Sequence, residues 1–335
     1  MRRFFSALIQ NFSAHLKPVI SEPVDGLYDI IGDIHGYPDE LKALLVKLGY
    51  GQEKGYWSHP QRRAIFVGDF VSRGPGTRDV LLIIRNMVEN DAALAVLGNH
   101  ELNVIGHFTI NSKGKPIAQL APSNIAQMDR ISDQFRGEEE VLADTVKWLR
   151  RLPFFIDLGH LRVVHAYWSD ENRYEIEQTM TKNKLTKSLV KEIFKGESLF
   201  AKAVWQTTRG IEINLPKDLI IKDEKGVQRT NFRIKWWENP HGKTFRSISY
   251  GNRFRLPDYT VPEQILFPFE IYDASKPLVF IGHYCALSEP LITASNVCCT
   301  DSCLAGPGRL AAYRYQGEKE LWHEYFVFQD RFIRK

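Results

Sequence analysis

The sequence lacks any long apolar run. No stretch approaches the roughly 18 consecutive apolar residues of a membrane-spanning helix, so we expect no membrane span. Residues 1–20 carry an apolar stripe at helical spacing, including Phe5, Leu8 and Phe12, but neither a continuous signal-peptide core nor a small-residue cleavage site. We therefore predict an N-terminal amphipathic helical extension that packs on the body or on a partner, in preference to a membrane anchor, and a cytoplasmic location.

Cysteine is scarce. The chain of 335 residues has four cysteines, which are Cys285, Cys298, Cys299 and Cys303. Their spacing matches neither a paired Cys-x-x-Cys zinc pattern nor an extracellular disulfide framework. We predict buried, reduced thiols, and the alternatives are a labile thiol pair or an additional metal site.

A strong excess of one charge sign is also missing. The 44 Lys and Arg residues face 40 Asp and Glu residues, which leaves a formal net charge of +4. Because the basic residues are scattered, no dedicated nucleic-acid surface is expected, although nucleotides are not excluded as ligands. Repeats and low-complexity tracts are absent, and a hydrophobic content of 44% supports a connected core.

Three short motifs carry the chemistry. They are GDIHG at 32–36, GDFVSRG at 68–74 and GNHE at 98–101, and two later histidines, His165 and His283, also follow apolar runs. Each motif places oxygen or imidazole donors beside glycines that let the backbone turn sharply. Such donors suit Mn, Fe, Zn or Co, whereas structural zinc sites favour thiolates.

The motifs lie where predicted strands end. Short apolar runs at 27–31, 64–67 and 92–97 predict buried strands, and apolar spacing at 38–48 and 77–89 predicts helices between them. Strand–helix crossovers make neighbouring strands parallel, and ligand sites in such sheets gather at the carboxyl ends. A lone Asp in such a place is usually a turn or cap residue, but the ordered recurrence favours a polynuclear metal site. The donors predicted to meet there are Asp33, His35, Asp69, Asn99 and His100.

These motifs, with VHA at 164–166 and GH at 282–283, resemble the calcineurin-type metallophosphoesterase superfamily, in its phosphoprotein-phosphatase-like branch. Within that branch, residues 282–284, 301–306 and 309–314 resemble bacterial symmetrical diadenosine tetraphosphatases and related serine/threonine phosphatase-like proteins. The resemblance implies an α/β fold, a four-layer α/β/β/α sandwich with two mixed β-sheets and helical insertions.

It also implies a single domain over residues 27–330, with insertions at about 102–152 and 170–260. Because the insertions lie between motifs that converge on the metals, we expect them to form the walls that select substrate. Within them, residues 138–151 predict a helix and residues 219–237 predict a hairpin.

The resemblance further implies two divalent metal ions, manganese before iron, zinc, cobalt or magnesium. Asp69 would bridge the two. The remaining ligands would be Asp33 and His35 on the first metal and Asn99, His165 and His283 on the second. A hydroxide shared between the metals would attack phosphorus in line.

Around the metals, the resemblance assigns Asp69, His100 and Arg73 as catalytic residues. Arg73 would clamp phosphate oxygens and His100 would protonate the leaving oxygen. Arg209 and Tyr284 are candidate substrate-binding residues, although Arg209 can equally be an ordinary surface arginine. The chain departs from protein phosphatases at Ser72, because those enzymes place an Asp there to orient the histidine. An uncharged serine stabilises an imidazolium less.

Three hypotheses follow. The first is a dinuclear hydrolase of a nucleotide such as a dinucleoside polyphosphate, supported by Ser72 and by the C-terminal resemblance. The second is a serine/threonine protein phosphatase or general phosphomonoesterase, for which a phosphoprotein would be the partner. The third is a non-catalytic phosphate-ligand-binding protein, which the complete ligand set argues against. The sequence leaves the oligomeric state open.

Overall fold

Fourteen strands and nine α-helices are found in the part of the chain that this computed structural model describes, which is residues 26–215, 221–222, 228–251, 256, 258–263, 265, 267, 269–285, 287 and 291–333. The helical extension predicted for residues 1–20 lies outside these ranges. None of the described helices combines the length and apolar composition needed to cross a bilayer.

The strands are β1 Tyr28–Ile31, β2 Arg63–Phe66, β3 Ala93–Ala95, β4 Phe155–Asp157, β5 Leu161–Val164, β6 Glu212–Asn214, β7 Ile221–Lys222, β8 Gln228–Arg229, β9 Asn231–Arg233, β10 Leu278–Ile281, β11 Ile292–Ala294, β12 Val297–Cys299, β13 Arg309–Tyr315 and β14 Phe326–Asp330. The helices are α1 Pro38–Lys47, α2 Thr77–Glu89, α3 Asn99–Phe108, α4 Pro122–Gln134, α5 Glu139–Leu149, α6 Asp170–Thr179, α7 Lys187–Lys195, α8 Leu199–Arg209 and the short α9 Phe245–Ile248, with a 3₁₀ turn at His323–Tyr325.

Two five-stranded mixed sheets form the centre of the fold. The first has the order β14-β13-β1-β2-β3, in which β1, β2 and β3 are parallel and β13 runs antiparallel to β1. The second has the order β11-β12-β10-β5-β4, in which β10 is parallel to both β12 and β5. The predicted pair of mixed sheets is therefore confirmed.

The two sheets bury one face of each against the other. Along β1, Tyr28 and Ile30 pack into the shared core together with Leu278 and Phe280 of β10. The next residue, Ile31, packs on the opposite side, in the core formed with the helices. This alternation of sides is what a strand buried on both faces requires, and it explains why apolar residues predominate on both faces of these strands.

Different elements cover the two outer faces. The first sheet packs against helices, through apolar residues such as Leu44 of α1 and Ile84 of α2. The second sheet packs against the β6–β9 pair, α9 and their connections, through residues such as Trp236 and Ile248. The helix predicted at 138–151 appears as α5, and the hairpin predicted at 219–237 contains the antiparallel pair of β7 and β8.

The cysteine prediction is wrong for two of the four residues. Cys285 and Cys303 form a disulfide, whereas Cys298 and Cys299 are free and buried as predicted. Cys285 follows β10 and Cys303 follows β12, and these strands are parallel neighbours. Their carboxyl ends therefore bring together two residues that lie 18 positions apart in the sequence.

Candidate metal centre

The carboxyl ends of five strands, from both sheets, surround one site. Asp33, Asp69 and Asn99 follow β1, β2 and β3, and His165 and His283 follow β5 and β10. The two aspartates and His165 are at most 2% exposed. The sequence motifs therefore converge as the strand pattern predicts.

Glycines allow these turns to pack closely. A Cβ on Gly98 would lie 2.3 Å from Asp69 Oδ1, and one on Gly282 would lie 2.1 Å from Asp33 Oδ1. Neighbouring residues that do carry a side chain adopt positive φ angles, including 50° at Asp69 and 62° at His283. Non-glycine residues held in this left-handed region are typical of functional sites that the surrounding structure over-determines.

Asp69 is common to two compact groups of donors. Its Oδ2 lies 3.3 Å from His165 Nε2 and 3.8 Å from His100 Nε2. Donor atoms of Asp69, His165 and His283 lie within 4.8 Å of one another, and so do those of His35, Asp69 and His100. Burial acts to raise the pKa of Asp69, but the adjacent His165 and His100 outweigh it and hold that pKa well below its ordinary value. The placement suits a carboxylate shared by two cations.

Asp33 lies at the edge of this arrangement. It accepts the backbone N–H of His283, at 3.2 Å to either oxygen, and one oxygen is 3.9 Å from His35 Nε2. Burial raises the pKa of Asp33 well above its ordinary value, and repulsion from Asp301 and Asp69 adds to the effect. Three buried carboxyls so close together repel one another when ionised, and bound cations would relieve that repulsion.

The unpartnered atoms fit metal binding as well. Asn99 Oδ1 and His283 Nε2 are buried and have no hydrogen-bond partner among the described residues, and His165 Nε2 has the carboxylate of Asp69 as its neighbour, at 3.3 Å. The other ring nitrogen of His165, Nδ1, lies 2.8 Å from the carbonyl of Val67, to which it can donate. That bond leaves the Nε2 lone pair available to a metal ion. The donor set therefore fits divalent cations that accept oxygen and imidazole ligands.

Glu101 is a buried residue for which the sequence motifs did not predict a role. Its Oε2 accepts the backbone N–H groups of Asp69 at 2.7 Å and Gly98 at 2.9 Å, and its Oε1 accepts that of Val71 at 3.2 Å. Burial raises the pKa of Glu101 to about 8, repulsion from Asp69 acts in the same direction, and two of these N–H groups oppose the shift. Glu101 thus ties the loop after β2 to the start of α3. Its position three residues after Gly98, in the first turn of a helix, is the sequence signal for this contact.

His100 has hydrogen-bond contacts with a neutral and a cationic residue, and the Asp69 carboxylate lies farther away, at 3.8 Å. Its Nδ1 contacts the Ser72 hydroxyl, and its Nε2 lies 3.2 Å from Arg73 Nη2, which can only donate. The ring proton is therefore on Nδ1 and is donated to Ser72. Burial is the main cause that lowers the pKa of His100 to about 4, and the charge of Arg73 adds to it against the opposing pull of Asp69. In this arrangement the imidazole is neutral at pH 7.

The two candidate substrate-binding residues, Arg209 and Tyr284, differ in their exposure to solvent. The Arg209 guanidinium stacks 3.8 Å from the Trp205 ring, and its charge contributes to lowering the pKa of His100. Tyr284 is fully buried, so it has no surface to offer a substrate in this structure. Arg233 of β9, which the motif reading missed, lies 5.3 Å from the Tyr284 ring and, after burial, is the largest cause that lowers the pKa of His283.

This geometry agrees with a family match. The model described as calcineurin-like phosphoesterase matches residues 28–284, which contain all six predicted metal ligands. The chain belongs to the calcineurin-like phosphoesterase family. The resemblance inferred from the motifs is thereby confirmed.

Two curated relatives of this calcineurin-like chain are tetraphosphatases. It is 34% identical over 129 residues to an asymmetrical bis(5'-nucleosyl)-tetraphosphatase from Halalkalibacterium halodurans, covering 38% of this chain and 51% of the relative. It is 32% identical over 149 residues to a symmetrical bis(5'-nucleosyl)-tetraphosphatase from Serratia proteamaculans, covering 44% of each. The chain spans about half the length of the curated relatives it matches.

Among solved structures, a cold-active protein tyrosine phosphatase is similar to this chain at 14% sequence identity with a TM-score of 0.48. The alignment covers 88% of this chain and 78% of that one. Similarity at this level carries no argument about function.

Proposed function

We propose that this protein is a dinuclear metal-dependent phosphoesterase that hydrolyses nucleotide phosphoanhydrides, such as a dinucleoside polyphosphate. The proposal rests on two compact groups of possible metal donors that share Asp69, together with a His100 whose ring contacts the hydroxyl of Ser72. The donors support the reaction class, and the uncharged partner of His100 supports the kind of leaving group. We keep manganese and a cytoplasmic location as predictions.

The proposed metal ligands are those that the motifs predict. Asp33, His35 and Asp69 would hold one cation, and Asp69 would be shared with the second. The second cation would also be held by Asn99, His165 and His283. Two cations supply an activated water near neutral pH and neutralise the phosphoryl oxygens as charge develops. His100 is not assigned as a ligand, because its Nε2 already faces Arg73.

The arginines would orient the phosphoryl group. Arg73 is exposed and its Nη2 lies beside His100, so its planar fork can bind two phosphate oxygens at the edge of the centre. Arg209 is exposed as well, and its stacking on Trp205 holds its guanidinium in place. A bound phosphate would thus meet one guanidinium from the loop after β2 and one from the end of α8.

The setting of His100 supports an anhydride as the substrate. A serine or threonine alkoxide leaves poorly unless it receives a proton, whereas a nucleoside di- or triphosphate leaves as a stable anion. A hydroxyl beside Nδ1 stabilises an imidazolium less than a carboxylate does. The relatives named above are tetraphosphatases, which is in agreement with this substrate class.

A phosphomonoesterase, including a protein phosphatase, is the second candidate. It is favoured by the Asp69 carboxylate, whose Oδ2 lies 3.8 Å from His100 Nε2 and can support a proton there. Aryl phosphates and phosphopeptides would then be hydrolysed as well as anhydrides.

A substrate panel tests the proposal. Metal-stripped protein reloaded with manganese would be offered diadenosine tetraphosphate, ATP, an aryl phosphate and a phosphothreonine peptide, with product analysis by chromatography. We expect the nucleotides to be preferred, and the products to show whether cleavage is symmetrical. Asp69→Asn should abolish turnover while the protein stays folded. A preference for the peptide would favour the second candidate, and metal-independent silence on the whole panel would favour a binding protein.

A further inference from the structure

A cavity of about 460 Å³ opens beside the candidate metal centre. Its wall includes Arg73, Arg130 and Arg331, together with Tyr37, Asp133 and Gln134. We call the surface formed by Arg73, Arg130 and Arg331 the arginine groove. Arg73 belongs both to this groove and to the metal centre, because its Nη2 lies 3.2 Å from His100 Nε2. A molecule bound at the centre can therefore continue directly into the groove.

Three distant parts of the chain supply the groove. Arg73 comes from the loop after β2, Arg130 lies on α4 and Arg331 follows β14. Arg331 is held in place, since it donates to the carbonyl of Gly306 at 3.0 Å and its guanidinium lies 4.9 Å from the Tyr37 ring. Arg130 is exposed on its helix. Its free side chain can thus adjust to a ligand, whereas that of Arg331 is preorganised.

The groove carries an excess of positive charge, and only Arg73 also acts on buried carboxyls, those of Asp33 and Asp301. In the part of the chain that the structure describes, Arg73, Arg130 and Arg331 make no ion pair with a carboxylate. The one acid in the wall, Asp133, is paired with Arg136 at 2.5 Å. Guanidinium groups bind phosphate through two parallel hydrogen bonds, so three of them along one cavity suit a chain of phosphates.

We infer that the arginine groove binds the phosphates that lie beyond the scissile one in a polyphosphorylated substrate. This inference rests on the proposed function, because the scissile phosphoryl group must be held at the metal centre. Arg73 contacts the phosphoryl group at the junction, and Arg130 and Arg331 bind the phosphates that follow. The groove thereby selects nucleoside polyphosphates over substrates with a single phosphate.

Kinetics on two classes of substrate test the groove. Arg130→Gln and Arg331→Gln remove one charge each, and Arg151→Gln is the matched control, because Arg151 is an exposed arginine outside the groove. We expect KM for ATP and diadenosine tetraphosphate to rise about three- to tenfold in the groove variants, which is typical of losing one partly screened charged contact. KM for an aryl monophosphate should stay within about twofold, because it has no further phosphate to lose. Equal effects on both classes, or none in Arg130→Gln, would overturn the inference.

A binding measurement separates the groove from the activity. Metal-loaded protein would be titrated calorimetrically with a methylene-bridged, hydrolysis-resistant analogue of diadenosine tetraphosphate. Arg130→Gln should weaken its binding by the same factor as it raises KM, and Arg151→Gln should leave it unchanged. If no nucleotide is hydrolysed but Arg130→Gln still weakens binding of the analogue, the proposed function fails and the groove stands. If nucleotides are hydrolysed and the analogue binds Arg130→Gln as well as the unaltered protein, the groove fails and the function stands.

Discussion

Replacing Ser72 by Asp should change which leaving groups the enzyme tolerates. In the structure the Ser72 hydroxyl contacts His100 Nδ1, and the pKa of His100 is lowered to about 4, chiefly by burial. At pH 7 only about one His100 side chain in a thousand would then carry the second proton. Ser72 has a φ of 68°, a left-handed conformation that Asp and Asn tolerate better than most residues. The substitution therefore places a carboxylate beside Nδ1 with little backbone strain.

The expected size follows from the charge introduced. A carboxylate within hydrogen-bond distance raises the pKa of an adjacent histidine by about one to three. Even the lower limit increases the imidazolium population at pH 7 about tenfold, which corresponds to about 1.4 kcal/mol. That proton is useful only to a leaving group that must be protonated. Hydrolysis of alkyl phosphates should thus improve about tenfold while hydrolysis of anhydrides changes little.

The assay is a ratio of kcat/KM values for an alkyl phosphate and diadenosine tetraphosphate, measured from pH 6 to 8. Ser72→Asn is the control, because it has nearly the size of Asp and carries no charge. We expect the ratio to rise in Ser72→Asp alone. The same rise in Ser72→Asn, or an unaltered enzyme that already cleaves both substrates equally, would refute the link between the neutral partner of His100 and substrate choice.

Three further substitutions test the packing, two of them at the centre and one within the first sheet. Glu101→Gln replaces an accepting oxygen with an NH₂ group and so leaves a buried backbone N–H unpaired. The free energy of unfolding, measured by urea titration, should fall by about 1–3 kcal/mol. An unchanged urea midpoint would contradict the role of Glu101 as an acceptor for the backbone. Gly282→Ala places a Cβ 2.1 Å from Asp33 Oδ1, so the Asp33 carboxylate must shift. Elemental analysis should then find about tenfold weaker retention of one metal ion. Full retention would show that Asp33 is not a ligand. Asp29→Asn removes the charge of a buried carboxylate whose two oxygens share the Nε–H of Arg62, at 3.0 and 3.1 Å, and should destabilise the fold by about 3 kcal/mol. A change below about 1 kcal/mol would mean that water reaches the pair.

Local patterns predicted much of this centre. The strands that precede Asp33, Asp69 and His165 are short apolar runs, and the donors follow them at the points where the chain must turn. The same runs predicted parallel neighbouring strands, whereas the two mixed sheets were implied by the family resemblance, and both sheets are present. The strands and the donors at their ends could be predicted because each depends on residues that are neighbours in the sequence.

Other features could not be read in this way. The disulfide of Cys285 and Cys303 depends on the parallel pairing of β10 with β12, and the burial of Tyr284 depends on packing against residues such as Trp237. Glu101 was visible within a motif, yet its three backbone partners are defined only when the loop after β2 folds back onto α3. Spacing along the chain has no information on such contacts.

The sequence by itself determined which metal-donor side chains stand at the strand ends, because these donors and the glycines beside them are adjacent in the chain. Tertiary structure alone decided what surrounds that chemistry. Arg73, Arg130 and Arg331 line one cavity because the loop after β2, α4 and the residues after β14 pack together. His100 contacts the hydroxyl of Ser72 because the loop after β2 packs on the start of α3. Charge and hydrogen bonding act through distances in space, and these distances exist only once the distant segments have packed.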